Sequence, residues 1–352
     1  MSLSDYLIPF LAAFLLTAAF TPLLRRYLVT RKIGLAIPRE RDVHTRPLPK
    51  LGGVAVVASF LIVVVAILFT DPSRLSFVSE TVAGIDRNLA GVLLGVLILL
   101  GTGIYDDLHD LKPGVKLGWQ VLAALLVVAF GVKIHWLTNP LGGATIELGS
   151  WTYLIVPLWL LAMINVMNWF DGLDGLASGL SIIASIAIVF LSLEPFVAQP
   201  GTALLAAILA GAALGFLPYN WHPSRIILGD SGSMVLGFML GVFAIISGAK
   251  FATAALVLGI PIFDAVWVVG RRLLTGQPVW KADKLHLHHR FLDAGLSPRA
   301  TALTLYAVAT LCAVVALNSG TAGKVAAIAA LAAFMVLLGV VLVLSAGRRA
   351  KG

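Results

Sequence analysis

Apolar residues run nearly unbroken for about twenty positions at a time along this chain, and polar residues gather in the gaps. Eleven such runs are read, at roughly 3–24, 51–70, 88–105, 115–132, 152–168, 175–193, 201–218, 231–248, 252–270, 301–318 and 324–346. A helix that crosses a bilayer needs ~20 mostly apolar residues. In lipid the backbone must satisfy its own hydrogen bonds, so continuous apolar runs predict helices; the two-residue alternation of a membrane barrel is absent. The pattern predicts an all-α polytopic membrane protein of about 11 transmembrane helices, a single domain over residues 1–352.

The basic residues orient it. With the N-terminus outside, 20 Lys and Arg fall in inner segments and 5 in outer ones (Arg74, Arg87, Lys133, Lys250 and Lys324). That bias places the N-terminus outside and the C-terminus in the cytoplasm, which requires an odd number of crossings. Residues 3–24 lack a basic stretch ahead of them and are followed by Arg25 and Arg26, so they read as a retained first span, not a cleaved signal.

Composition agrees. Hydrophobic residues make up 59% and charged residues 12%, with mean hydropathy +0.98; a soluble domain is about 25% charged. The net charge of +8 would suggest nucleic acid in a soluble protein. Here it follows from the inner-face bias and from a need for anionic ligands, so no nucleic-acid partner is expected. Cys312 is the only cysteine, which excludes an internal disulfide.

Charge this scarce is informative where it clusters, and every cluster falls on the inner face, in segments 25–50, 106–114, 169–174, 219–230 and 271–300. Asp106 and Asp107 end the third run. Neighbours on a helix point about 100° apart, so one can face the bundle and the other a different group. A solvated helix end is the plain alternative, although a carboxylate there opposes the helix dipole. Asn165, Asn168, Asp171 and Asp174 stand at three-residue intervals across a helix end and a Gly-containing turn. A polar turn capped by Asp174 explains one of the four; a hydroxyl-rich or anionic ligand with a divalent cation explains them all. Asn220 closes the seventh run.

Gly229-Asp-Ser-Gly-Ser opens the eighth run. It resembles the nucleophile segment of trypsin-like proteases in letters only, since those are soluble β-barrels. Asp230 suits either a helix cap or a Mg2+ ligand, with the helix N-terminus favouring phosphate. His286, His288 and His289 stand with Lys284 and Arg290. Zinc is the rival for the histidines, but surplus positive charge favours phosphate and sugar; the spacing of His286 and His288 suits one face of an extended strip. In the first inner loop, His44 and Arg46 precede Pro47, Pro49, Gly52 and Gly53, a rigid stretch at the edge of a site. Asp264 lies inside the ninth run, three residues after Pro261, which kinks the helix. A functional role and a pairing with an inner-loop Arg or Lys are equally open for it. His135 and Glu147 fall outside and carry no role.

Taken in order, Asp106–Asp107, Asn-x-x-Asn-x-x-Asp-Gly-Leu-Asp-Gly-Leu, Gly-Asp-Ser-Gly-Ser and His-Leu-His-His-Arg resemble the polyprenyl-phosphate N-acetylhexosamine-1-phosphate transferases (glycosyltransferase family 4). The first loop is similar to that family's His-x-x-Pro-x-Pro-x-x-Gly-Gly. The likeness covers residues 34–299, and the His-x-His-His form looks like the branch that uses UDP-GlcNAc. Ala36 replaces an Asp common in the family, and Ile227 replaces an aromatic that stacks on uracil in the muramoyl-pentapeptide branch. The resemblance implies transfer of GlcNAc-1-phosphate from UDP-GlcNAc to undecaprenyl phosphate, releasing UMP, at the start of envelope glycan synthesis in the plasma membrane. It implies Mg2+ (Mn2+ as the substitute) on Asp230 with Asn168, and a catalytic set of Asp106, Asp107, Asp230 and His288. Asp106 and Asp107 are expected near the polyprenyl phosphate. Asn165, Asp171, Asp174, Asn220, His44, Arg46, His286, His289 and Arg290 are expected to bind substrate. A homodimer is compatible with the chain. A secondary transporter would show an internal repeat and polar residues at mid-membrane; a membrane prenyltransferase would need two Asp-x-x-x-Asp motifs. Neither pattern is present.

Overall fold

The computed structural model describes residues 1–36, 47–137, 139, 144–247, 251–277 and 286–349. The protein is an all-α polytopic membrane protein. Its helices are α1 (Leu3–Arg31), α2 (Gly52–Thr70), α3 (Arg87–His109), α4 (Pro113–Ala129), α5 (Thr152–Phe170), α6 (Leu176–Leu193), α7 (Pro200–Asn220), α8 (Asp230–Ile246), α9 (Phe251–Val257), α10 (Gly259–Leu274), α11 (Leu287–Asp293), α12 (Pro298–Asn318) and α13 (Thr321–Arg349). Three pairs of two-residue antiparallel strands close loops, among them Leu35–Ala36 with Leu48–Pro49.

Each apolar run is helical, yet they are unequal. Among the described residues, eight helices are long and apolar enough to cross a membrane. The fourth and eighth runs form shorter helices, α4 and α8. The ninth is broken into α9 and α10 at Leu258. Pro261 is the cause: it has no N–H to donate to the carbonyl of Val257, so the helix stops there and restarts with Pro261 in its first turn. The expected kink is thus a break one turn earlier.

Helix α8 is the axis of the bundle, buried from Ser231 to Ile245. Helices α3 and α5 pack along it, α7 lies between α1 and α6, and α12 and α13 pack around α9 and α10. A helix that is apolar all round belongs inside such a bundle. Apolar side chains gain little from meeting each other in lipid, so contact depends on close packing through small residues. Gly53 of α2 lies directly against the backbone of Gly232 in α8; a Cβ there would overlap the α8 main chain. Outer helices keep exposed apolar faces, as with Trp119, Leu122 and Leu125 of α4 and Phe334 and Leu337 of α13.

Candidate active site

The polar ends of these helices meet in one place. Helices α3, α5 and α7 deliver their C-termini there, and α4, α6, α8 and α11 their N-termini. The centre is a carboxylate cluster threaded by one lysine. The ammonium of Lys116, in the first turn of α4, donates to Asp106 Oδ2 at 2.9 Å, to Asn168 Oδ1 at 3.4 Å, and to Asp230 Oδ2. Asn168 Nδ2 donates to Asp230 Oδ1 and to Ser233 Oγ, the latter at 3.0 Å. The outer oxygen of Asp106 is held by Leu111 N–H.

Asp107 has another task. Its two oxygens accept from the N–H groups of Asp230 (3.0 Å) and Ser231 (3.1 Å), so a carboxylate from α3 caps the first turn of α8. A carboxylate at a helix N-terminus satisfies orphan donors and the dipole together. The α8 N-terminus expected to receive phosphate is therefore taken by Asp107. Both members of the Asp106–Asp107 pair are buried, contrary to a solvated helix end.

Asp171 accepts from Gly229 N–H at 3.1 Å. Burial, with the charges of Asp230 and Asp107 beside it, pushes its carboxyl well above the usual range. Asp174 does not cap α6, whose N-cap is Gly175. It bonds His222 Nδ1 (2.7 Å) and Ser224 N–H (3.1 Å). Asn220 ties the same turn from the other side: its Oδ1 accepts from Gly175 N–H and Ser178 Oγ, and its Nδ2 donates to Ile226 O. Asn165 turns into the bundle, donating to Gln120 Oε1 and Leu161 O, both at 2.8 Å. Asp174 and Asn220 tie the turns beside the cluster, and Asn165 ties α5 to α4.

The histidines seat on the end of α5. His286 is the N-cap of α11 and His288 lies in its first turn, so the segment is helical where an extended strip was expected. The rings of His286 and His288 stack 5.9 Å apart at 8°. His286 meets Trp169 at 6.2 Å and His288 meets Phe170 edge-on at 5.6 Å. His288 is 1% exposed, and neither ring nitrogen has a partner among the described residues. Burial, followed by His289 and His286, holds its pKa well below the ordinary value, so its ring is neutral. Gly172 makes room for it: a Cβ there would stand 2.6 Å from His288 Nε2. His289 packs on His288 at 4.4 Å. The Arg290 guanidinium lies towards Gly339 of α13. Asp264 pairs with His286 Nδ1 at 2.7 Å. His44 and Arg46 lie outside the described residues.

A divalent cation fits the centre. Asp106, Asp230 and Asn168 offer hard oxygen atoms, and a positive group, the Lys116 ammonium, already sits among them. Mg2+ takes one or two carboxylates and completes its shell with phosphate oxygens and water. Among the described residues no group of three or more His, Cys, Asp or Glu forms a metal site by itself. The sequence pattern missed Lys116 as a site residue. Its signal was a lone ammonium at the start of an apolar run, ten residues after Asp106. His222, the partner of Asp174, was missed too.

Comparison with known proteins adds a family. A family model described as glycosyl transferase family 4 matches residues 89–248. The chain is 32% identical over 311 residues to a probable undecaprenyl-phosphate N-acetylglucosaminyl 1-phosphate transferase of Bacillus subtilis, covering 86% of this chain and 81% of that protein. It is 35% identical to a decaprenyl-phosphate N-acetylglucosaminephosphotransferase of Mycobacterium tuberculosis, over 80% of this chain and 74% of the relative. It is also 30% identical to a phospho-N-acetylmuramoyl-pentapeptide-transferase of Limosilactobacillus reuteri, over 91% and 98%.

Proposed function

Because the chain belongs to glycosyl transferase family 4, we propose that it transfers GlcNAc-1-phosphate from UDP-GlcNAc to a polyprenyl phosphate and releases UMP. The observation that carries this reading is the junction of Asp106, Lys116, Asn168 and Asp230 at the shared end of four helices. One substrate is a lipid, so the reaction belongs at a bilayer surface. The other is a soluble anion, so the site belongs on the basic side. The topology we propose has eleven crossings, the N-terminus outside, and the site on the cytoplasmic face of the plasma membrane.

In this reading Asp230, with Asn168 and Asp106, holds Mg2+ or Mn2+. A divalent cation there would supply positive charge against the diphosphate and the departing UMP. The chain's own residues do the rest. Lys116 supplies a positive group next to the same oxygens, where it can offer charge to a phosphate. Asp107 holds the first turn of α8, which keeps Asp230 in place, and its oxygens retain lone pairs towards the polyprenyl phosphate. Asp171 receives or keeps a proton at the edge of the cluster. The polyprenyl phosphate is already mostly ionised near neutral pH, so a strong base is not required. The histidine layer, with Arg290, contacts sugar and phosphate. Asp174 and Asn220 hold the two turns that frame the nucleotide. Attack is a single in-line displacement; a burst of UMP without lipid acceptor would instead reveal an aspartyl intermediate.

The test is Asp230→Asn assayed for UMP release in detergent or nanodiscs. Activity falls to background with the protein still folded, and near-wild-type release would overturn the metal assignment. Chelation should abolish release in the wild type, and Mg2+ or Mn2+ should restore it. A panel of UDP-sugars with undecaprenyl phosphate tests the choice of GlcNAc.

A further inference from the structure

Asp264 is a buried carboxylate that the reaction above leaves unused. It lies in α10 and is 4% exposed. Its Oδ2 meets His286 Nδ1 at 2.7 Å, and its Oδ1 accepts from Leu287 N–H at 2.8 Å. A carboxylate in its ionised form can only accept, and against that form the proton of this bond belongs on Nδ1. A neutral imidazole held in that way keeps a lone pair on Nε2. Among the described residues, His286 also meets two rings, Trp169 at 6.2 Å and His288, on which it stacks at 5.9 Å. Among the described residues, neither ring forms a hydrogen bond to Nε2. Trp169 adjoins Asn168, so His286 stands beside the cluster and not at a remote loop.

We propose that Asp264 is a positioning residue: it anchors α11 and fixes His286 as the Nδ1–H tautomer, so that Nε2 accepts a hydrogen bond from a hydroxyl or amide N–H of the nucleotide sugar. The proposal rests on the reading of this chain as a nucleotide-sugar transferase. It departs from a purely cationic role for the histidine segment, because a bare Nε2 repels phosphate oxygen and attracts a donor group.

The discriminating variant is Asp264→Asn. The Asn Oδ1 can still cap Leu287, so α11 stays anchored. Its Nδ2 donates to His286 Nδ1 and moves the ring proton to Nε2. The full chain, labelled with 15N-histidine in nanodiscs, should show His286 protonated on Nδ1 and bare on Nε2, with the signal assigned by its loss in His286→Gln. In Asp264→Asn the two should exchange. KM for UDP-GlcNAc should rise about tenfold, the weight of one hydrogen bond between neutral groups, with KM for undecaprenyl phosphate unchanged. A wild-type His286 that is doubly protonated or protonated on Nε2 overturns the proposal. So does an unchanged donor KM in a variant whose tautomer has switched. Failure of the wild type to turn over any UDP-sugar would sink the functional reading instead, and the NMR arm would still report the tautomer.

Discussion

Lys116 shows how a single side chain can carry a site. Three oxygens from α3, α5 and α8 surround its ammonium, and its side chain is 16% exposed. Removing one partner of a buried, hydrogen-bonded ion pair costs ~3–5 kcal/mol, because the remaining charges lose their compensation. Lys116→Met should therefore lower the detergent melting temperature in metal-free buffer and cut UMP release at least a hundredfold. Excess Mg2+ should recover part of the stability, since the cation replaces the lost charge, but not the rate. Equal stability of variant and wild type without metal would show that Lys116 does not hold the cluster. Arg290→Glu should impair release far more than Lys50→Glu, because the Lys50 ammonium pairs with the exposed Asp110, at 3.7 Å; equal losses in a UMP assay would contradict that ranking. The sequence singled out Asp230 and Asn168, which the structure brings together, because both are polar residues in apolar surroundings. Lys116 was hidden by the same logic: among many inner-face cations, one more needs no special explanation. The hydrogen bonds that Asn165, Asp174 and Asn220 make to other protein groups were not legible, because a residue that bonds the protein and one that bonds a ligand look alike in a string.

At the scale of elements, the close approach of α2 to α8 matters most for the site. The N–H groups of Gly52 and Gly53 bond the carbonyls of Ile227 and Leu228, so the start of α2 extends the turn that leads to Asp230. Gly53→Ala would push a methyl into the α8 backbone, an overpacking that costs ~1–3 kcal/mol. Thermal melting should show that loss, and KM for both substrates should change along with it, because Asp230 rides on α8. A silent substitution would mean that the helices can separate freely. Helix existence was legible from apolar runs, and most ends fell within a few residues of the observed ones. The break at Leu258 was only half legible. Pro261 marked the disturbance, but which turn yields depends on the carbonyl left without a donor, and that is a property of the three-dimensional ladder. The helical form of residues 287–293 was missed for a related reason: its N-cap support comes from Asp264, 23 residues away from Leu287.

At the scale of the whole molecule, the helix ends alternate between two layers. C-termini of α3, α5 and α7 and N-termini of α4, α6 and α8 share one layer, so each successive helix returns across the same thickness. The opposite layer holds the pair of Arg74 with Asp5 and the contact of Lys133 with Tyr153. The sequence anticipated this sorting through its basic bias, but not that the ends would converge on a common centre, because lateral packing order is not written in hydropathy. Sidedness can be measured directly. Cys312 is buried and is the one native cysteine, so single cysteines can be introduced with little background. Ser73→Cys lies on the exposed turn beside Arg74, and Arg225→Cys on the exposed turn that precedes Asp230. A membrane-impermeant maleimide applied to intact cells should label position 73 at once and position 225 only after permeabilisation. The reverse order would place the carboxylate cluster outside, where no cytosolic nucleotide sugar reaches it. Labelling of both before permeabilisation would break the alternation on which the shared site depends.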